Sequence, residues 1–315
     1  YIFIPDLAMT EIGGFAVEAE RSIRFDYCTY MHNSPNHINF VTGPYSLTQI
    51  PEPSLSLVTV QTGALNVGSQ YSPNPQLQSI KEQNKKIISV FDESANDVFF
   101  GPSIRALYNS VIQMCRDEKS RDRLFFYIKT KKEDILNGLP DLRDQIEELE
   151  KEGRCVIADS RVSAAAAASD SDLVISVPST ASFESVLMDT PTIVFNPMRA
   201  GNSVFYRNDG LNRRVFHDAP SMIDAVQRWL DRQNDSLGDC KDIAPFIDSY
   251  TDRNGAVRIG EYLKSCLKGF DDGKEPEEII EHANKTFVEQ WGEEKVTGDN
   301  SFESQIARKF YPHSN

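Results

Sequence analysis

The sequence lacks any apolar run close to the roughly 20 residues that a membrane-spanning helix needs. It also lacks polar low-complexity tracts and internal repeats, which disfavours disordered chains and repeat architectures. We therefore expect neither a membrane span nor a secretory signal. With 315 residues, 40% of them apolar, the chain is long enough for two ordinary folded, soluble domains or one large domain.

Basic residues are in the minority: 33 lysines and arginines stand against 47 aspartates and glutamates, which gives a formal net charge of −14. Such a charge repels a phosphate backbone unless a local basic patch overrides it. We therefore expect no nucleic-acid partner.

Paired cysteines and clustered histidines are missing as well. The five cysteines lie far apart without a CxxC pair, which predicts reduced cytosolic thiols and not a zinc site or a disulfide framework. His32 and His37 are separated by Pro35, which argues against a helix that would bring both rings to one face. We expect no bound metal and no cofactor.

From residue 86 onward, apolar runs typical of strands alternate with helical periodicity, which is the pattern of a parallel sheet covered by helices. The predicted strands are 86–92, 123–130, 154–160, 172–177 and 191–197. The clearest predicted helices are 141–153, 163–171, 179–188 and 222–230, the last of them capped by Ser221. Five successive βα units predict an α/β domain with a doubly wound parallel sheet, as in a Rossmann fold.

The residues before 86 are less regular, and their order of strand-like runs is consistent with part of another α/β domain. Residues 69–78 are poor in apolar side chains and hold two prolines, so they form the best candidate linker. We predict a partial N-terminal domain over 1–78, a Rossmann-like domain over 79–270 and a helical extension over 271–315. Because Tyr1 lies inside an apolar run, we expect the N-terminal domain to be truncated.

The stretch 171–197 contains the most informative polar interruption. Pro178 ends the predicted strand, and Ser179 or Thr180 is placed to begin the next helix, where unpaired N–H groups of the first turn form an anion site. Together with the hydroxyl of Ser182, these groups suit a phosphate, and Glu184 follows where a carboxylate could reach ribose hydroxyls. The alternative is that Ser179 only caps the helix and Glu184 is a surface acid.

This stretch, SDLVISVPSTASFESVLMDTPTIVFNP, resembles the donor-binding segment of GT-B glycosyltransferases, particularly the CDP-glycerol and Kdo transferase families of surface and capsular polysaccharide biosynthesis. The Ser179–Thr180 pair, the acid at Glu184 and Pro191 match the family pattern. The resemblance implies a GT-B-like fold in which the C-terminal domain binds a nucleotide-sugar and the N-terminal domain presents the acceptor. It also implies metal-independent chemistry, with the nucleotide-activated sugar as a substrate and not a cofactor.

Two further segments carry the resemblance. FFYIKTKK is similar to a family strand that ends in a lysine, so Lys129 would face the phosphate of the donor; as an alternative, its lysines belong to a solvated loop. TDRNGAVRIGEYL is similar to the segment at which the C-terminal domain of these enzymes finishes. Together, the three matches cover about residues 86–267.

The acceptor side is implied by YCTYMHNSPN, which resembles a strand-to-loop segment of the N-terminal domain. His32 would lie at the cleft as a general base, and Glu11, which precedes Gly13–Gly14, would be the acceptor-side carboxylate. A structural histidine and a plain turn are the alternatives.

Arginines after residue 197 could supply positive charge to the opposite wall of the cleft. They suit a pyrophosphate or the carboxylate of an acidic sugar, and they could equally form surface ion pairs. The candidates are Arg199, Arg207, Arg213 and Arg214.

The resemblance therefore predicts a glycosyltransferase that moves a sugar or polyol phosphate from a nucleotide-activated donor to a glycan or lipid-linked acceptor. A cytoplasmic location, with peripheral association at the inner membrane, would suit that acceptor. Two alternatives stay open: a non-hydrolysing nucleotide-sugar 2-epimerase of the same architecture, and a noncatalytic Rossmann-like binding module.

Overall fold

The computed structural model describes residues 2–3, 38–48, 58–65, 67–68, 71–93, 101–131, 135–199, 204–233 and 235–297. The strands in these ranges are β1 (Ile2–Phe3), β2 (Ile38–Val41), β3 (Val58–Gln61), β4 (Lys86–Phe91), β5 (Leu124–Lys129), β6 (Cys155–Ile157), β7 (Leu173–Ser176), β8 (Thr192–Phe195), β9 (Val215–Phe216) and β10 (Val296–Thr297). The α-helices are α1 (Pro44–Thr48), α2 (Pro75–Glu82), α3 (Gly101–Arg116), α4 (Pro140–Lys151), α5 (Ala164–Ser169), α6 (Thr180–Leu187), α7 (Ala219–Leu230), α8 (Ala244–Ile247), α9 (Gly255–Asp271) and α10 (Pro276–Trp291).

The chain divides into two compact units, and the larger one spans Gln70–Ile243. Its six-stranded sheet has the order β6-β5-β4-β7-β8-β9, and every neighbouring pair is parallel. Counted from β4, this is the order 3-2-1-4-5-6 of a doubly wound Rossmann-type sheet. The predicted α/β class with a doubly wound parallel sheet is therefore confirmed.

Helices cover both faces of this sheet, which explains why its strands are mostly apolar. Ile88 and Val90 of β4 pack into a core with α3, α4 and α7, whereas Ile87 and Phe91 of the same strand pack against α2 and α5. The alternation of side chains along the strand assigns successive residues to the two cores.

The smaller unit combines residues 1–69 with residues 244–315. Its sheet has the order β1-β2-β3-β10, in which β10 runs antiparallel to β3. Phe40 and Val60 from the sheet pack with Tyr262 of α9 and with Ala283 and Phe287 of α10. Residues close to both ends of the sequence thus build one core.

This grouping differs from the predicted boundaries at 78 and 270, because the segment 252–262 docks onto the end of β3. The guanidinium of Arg258 bonds to Asp252 and to the Thr62 carbonyl, and it lies 3.5 Å from the centre of the Tyr250 ring. The segment that resembles the end of the GT-B C-terminal domain therefore packs with the smaller unit.

The start of α7 also differs in detail from the prediction. Asp218 is the N-cap residue, and its carboxylate accepts hydrogen bonds from the amide and the hydroxyl of Ser221, the residue predicted to cap the helix. Pro220 extends the helix beyond the predicted start because proline suits the first turn. No helix within the described ranges is long and apolar enough to cross a bilayer.

Candidate functional site

The order of the larger sheet reverses between β4 and β7, which pair in parallel with Phe91 opposite Ser176. In open α/β sheets, ligands bind beyond the carboxyl ends of the strands at such a switch point. Ser179, Thr180, Ser182 and Glu184 follow β7 directly at this edge, and Lys129 ends β5 on the other side of β4. The topology thus brings the predicted donor-site residues of β5 and α6 to one edge of one sheet.

Ser179 is the N-cap residue of α6, with extended backbone angles, but its side chain makes no capping hydrogen bond. Its hydroxyl lies 3.1 Å from the hydroxyl of Ser176. Ser182 turns inward, since its amide and its hydroxyl both bond to the Ser179 carbonyl, at 3.2 and 2.5 Å. Within the described residues, the Ala181 amide has no acceptor, so the first turn keeps at least one N–H group for a ligand.

Glu184 is half-buried on α6, where its carboxylate accepts a hydrogen bond from the Ala165 amide at 3.2 Å. That amide belongs to the first turn of α5, which Ser163 caps through its bond to Ala166. The carboxylate therefore stabilises the start of a neighbouring helix. Its proposed contact with a ribose has to be made from this position.

Lys129 is half-buried, and its ammonium group bonds to the Thr130 carbonyl at 2.7 Å. The next lysine, Lys131, is exposed and forms an ion pair with Glu93 after β4. Positive charge therefore lies at the end of β5, and part of it is matched by the Glu93 carboxylate after β4.

Asp92 is a residue of this edge that the sequence analysis did not single out. It follows β4, is 4% exposed, and accepts hydrogen bonds from the Tyr108 hydroxyl at 2.7 Å and from the Lys131 amide at 2.6 Å. Burial raises the pKa of its carboxyl group to about 6, against the lowering effect of these hydrogen bonds. The sequence signal was available, because an aspartate directly after an apolar strand lies at the carboxyl edge.

The four candidate arginines do not form one group. Arg214 is fully buried and bonds to Asp242 at 2.5 Å, and Arg213 lies 3.5 Å from the same carboxylate. These two arginines are ion-paired within the fold. Arg199 is exposed just after β8, and Arg207 is half-buried beyond it, so these two stay predicted donor-site residues.

A second group missed by the sequence analysis lies at the carboxyl ends of β8 and β9. Nδ1 of His217 lies 2.8 Å from the Asn196 carbonyl oxygen, and the Asn196 amide group donates to the Tyr206 hydroxyl at 3.0 Å. The rings of Tyr206 and His217 are 5.8 Å apart. Only the folded sheet brings these three polar residues together, since they are up to 21 positions apart in the chain.

The predicted catalytic residues His32 and Glu11 lie outside the described residues, as does the Gly13–Gly14 pair. In the ranges that are described, no group of three or more His, Cys, Asp or Glu side chains is arranged to hold a metal ion. Asp170 and Asp172 are two acids near each other in the sequence, and both precede β7, at the edge of the sheet opposite the candidate site. Asp170 accepts from the Asn74 amide, and Asp172 pairs with Lys86.

No family model matches the chain, and no curated protein matches its sequence. Among solved structures, the chain is similar to Anabaena Alr3699/HepE in complex with UDP and glucose, with a TM-score of 0.52, 14% identity, and coverage of 84% of this chain and 71% of that one. It is also similar to a putative UDP-N-acetylglucosamine 2-epimerase from Listeria monocytogenes, with a TM-score of 0.50, 16% identity, and coverage of 73% and 59%. These likenesses support the same conclusion as the sheet order: the fold is α/β and GT-B-like.

Proposed function

We propose that the protein is a glycosyltransferase that binds a nucleotide-activated donor at the carboxyl edge of the six-stranded sheet. The observation that carries this proposal is the start of α6 at the switch point, where the side chain of Ser179 makes no capping hydrogen bond and the Ala181 amide has no acceptor among the described residues. An N–H group and the positive end of a helix dipole favour a phosphate. The fold adds support, because the similar HepE structure contains UDP.

In the proposed reaction of a sugar donor, the bond between the anomeric carbon and the phosphate oxygen breaks, and an acceptor hydroxyl oxygen forms the new bond to that carbon. With a polyol phosphate donor, the acceptor oxygen instead bonds to the phosphorus of the polyol phosphate, and the phosphoanhydride bond to the nucleotide breaks. The nucleotide leaves with the bonding electrons, and the proton of the acceptor goes to His32 or Glu11. Ser179, Thr180 and the start of α6 hold the leaving phosphate, while Lys129 neutralises its charge. Excess chelator should leave the rate unchanged, since these groups take the role that a metal ion has elsewhere.

The finer proposal is a sugar or polyol phosphate donor and a surface-polysaccharide acceptor, in the cytoplasm or at the inner membrane. It rests on the resemblance of residues 171–197 to the CDP-glycerol and Kdo transferase families. Arg199 and Arg207 would contact the donor from the segment after β8.

A panel of CMP-, CDP-, UDP- and GDP-linked donors tests the proposal, with thermal stabilisation and release of free nucleotide as readouts. Ligands that bind only the native state raise the melting temperature. Stabilisation together with nucleotide release supports a transferase. Stabilisation without any turnover favours a binding module, and no stabilisation by any donor contradicts the proposed site.

A 2-epimerase is the second candidate, favoured by the likeness to the Listeria protein. It would convert UDP-N-acetylglucosamine into its 2-epimer, a product that can be followed by proton NMR. Release of UDP with an acceptor-dependent rate and no epimer would exclude it.

A further inference from the structure

We propose that His217 binds the donor, with Nε2 of its imidazole accepting a hydrogen bond from a donor hydroxyl group. This assignment rests on the proposed function, and it adds a residue that neither the sequence motifs nor the family resemblance includes. It is argued from the contacts of the ring and from its place on the sheet edge.

The hydrogen bond at Nδ1 defines what the ring can offer a ligand. The partner of Nδ1 is the Asn196 carbonyl oxygen at 2.8 Å, and a carbonyl oxygen can only accept. Nδ1 therefore carries the proton, and in the neutral imidazole Nε2 is left with its lone pair. Nε2 has no hydrogen-bond partner among the residues that the structure describes, and the side chain is half-exposed.

The ring is held in place by its surroundings and by the backbone on either side. Tyr206 packs its ring against the imidazole, and its hydroxyl is fixed by the nearly buried Asn196. Asp218, the next residue, is locked by its capping bonds to Ser221. A group that is held on one side and open at Nε2 is preorganised for a ligand.

Contacts within the larger unit connect this group to the start of α6. Phe205, the neighbour of Tyr206, stacks on Phe183 of α6 with ring centroids 5.6 Å apart. His217 follows β9, which is separated from β7 by β8 alone, so the carboxyl ends of β7 and β9 are two strand spacings, about 10 Å in total, apart. A nucleotide-sugar whose phosphate lies at α6 can extend along this edge and bring its hydroxyl groups to His217.

Two hydroxyl sources fit this chemistry, the ribose and the transferred sugar. Both would donate to a neutral imidazole, and they differ in whether the sugar is needed for the contact. UDP and UDP-glucose therefore distinguish them.

The test measures the affinity of UDP and UDP-glucose by calorimetry, at the same pH for every variant. His217→Asn keeps an amide donor near the position of Nδ1 and removes Nε2, whereas His217→Gln can place an amide near Nε2. His282→Ala, an exposed histidine on α10, is the matched control. Melting temperatures without ligand show whether each variant is folded.

We expect His217→Asn to weaken UDP-glucose binding about fivefold to tenfold, the effect of one hydrogen bond, with His217→Gln and His282→Ala closer to wild type. An equal loss for UDP assigns the hydroxyl to the ribose, and a loss confined to UDP-glucose assigns it to the sugar. Wild-type affinity in folded His217→Asn overturns the assignment of His217 alone. No binding of either ligand by the wild-type protein overturns this assignment and the UDP-based form of the proposed function together.

Discussion

Asp92 places a nearly inaccessible carboxyl group beside the proposed anion site. Burial disfavours its charged form, and the hydrogen bonds from Tyr108 and the Lys131 amide recover only part of the lost solvation. A phosphate bound at α6 would add a second negative charge along the same edge. The protonation state of the Asp92 carboxyl group therefore affects the stability of the folded protein.

The raised pKa of Asp92 predicts a pH dependence of stability with a defined sign. Between the ordinary carboxyl pKa of 3.8 and the folded value of about 6, the folded protein binds more protons than the unfolded chain, so the free energy of unfolding falls as the pH rises through this window. The shift corresponds to about 3 kcal/mol.

Asp92→Asn should remove this dependence, whereas the exposed control Asp144→Asn should retain it. Urea denaturation at several pH values below and above the window measures the difference. Parallel pH profiles for the wild-type protein and Asp92→Asn would contradict the pKa shift of Asp92.

Mutations can distinguish the structural role of Glu184 at α5 from its proposed contact with a ribose. Because its carboxylate accepts from the Ala165 amide, Glu184→Ala should lower the free energy of unfolding by about 1 kcal/mol, and Glu184→Gln should lose less because it keeps an acceptor. Chemical denaturation checks this structural role.

Ser163→Ala is the control for Glu184→Ala. It removes the other side-chain hydrogen bond to an amide at the start of α5 and leaves α6 unchanged. If Glu184 also contacts the ribose, Glu184→Ala weakens UDP binding and Ser163→Ala does not. If both variants bind UDP with the same affinity, the role of Glu184 is limited to its hydrogen bond at the start of α5.

At the scale of elements, most strands of the larger sheet could be predicted because burial on both faces makes them mostly apolar. The predicted strand 172–177 corresponds to Leu173–Ser176, and 191–197 corresponds to Thr192–Phe195. The strand Val215–Phe216 was missed because two residues carry no periodicity. The start of α6 was predicted from Pro178 and Ser179, whereas the bond between Glu184 and α5 depends on how two helices pack.

The close packing of α9 against Ala64 predicts that alanine substitutions at two of its glycines have opposite effects on stability. A methyl group on Gly255 would overlap the Ala64 carbonyl oxygen, so Gly255→Ala should destabilise the protein by about 1–3 kcal/mol. Gly260 on the same helix has open space around its Cα, and Gly260→Ala should stabilise by up to about 1 kcal/mol through helix propensity. Thermal unfolding compares the two variants. A loss at Gly260 as large as that at Gly255 would contradict the predicted close approach.

At the scale of the whole molecule, the sequence indicated two α/β parts but not which segments share a core. Tyr262 and Phe287 pack with Phe40 more than 200 residues away, although the local pattern around them shows only two amphipathic helices. An amphipathic helix carries no information about which sheet its apolar face covers. The predicted boundaries followed the order of the chain for this reason.

The same reasoning separates the parts of the candidate site. The positions of Ser179 and Lys129 at the carboxyl edge of the sheet could be predicted, because Ser179 follows one apolar strand and Lys129 ends another, whereas their contacts with a donor stay predictions. Asn196, Tyr206 and His217 form a group only once β8 and β9 are neighbours, and β9 was not predicted. The sequence therefore indicates the residues at the ends of β5 and β7, and the folded sheet is needed to identify the group at the ends of β8 and β9.

A crystal structure of the protein with UDP tests the central claim most directly. The account predicts that the diphosphate lies within hydrogen-bond distance of the Ala181 amide at the start of α6, with the nucleoside along the carboxyl edge of the six-stranded sheet. UDP bound at another surface, or a first turn of α6 closed off by side chains of the protein itself, would contradict it.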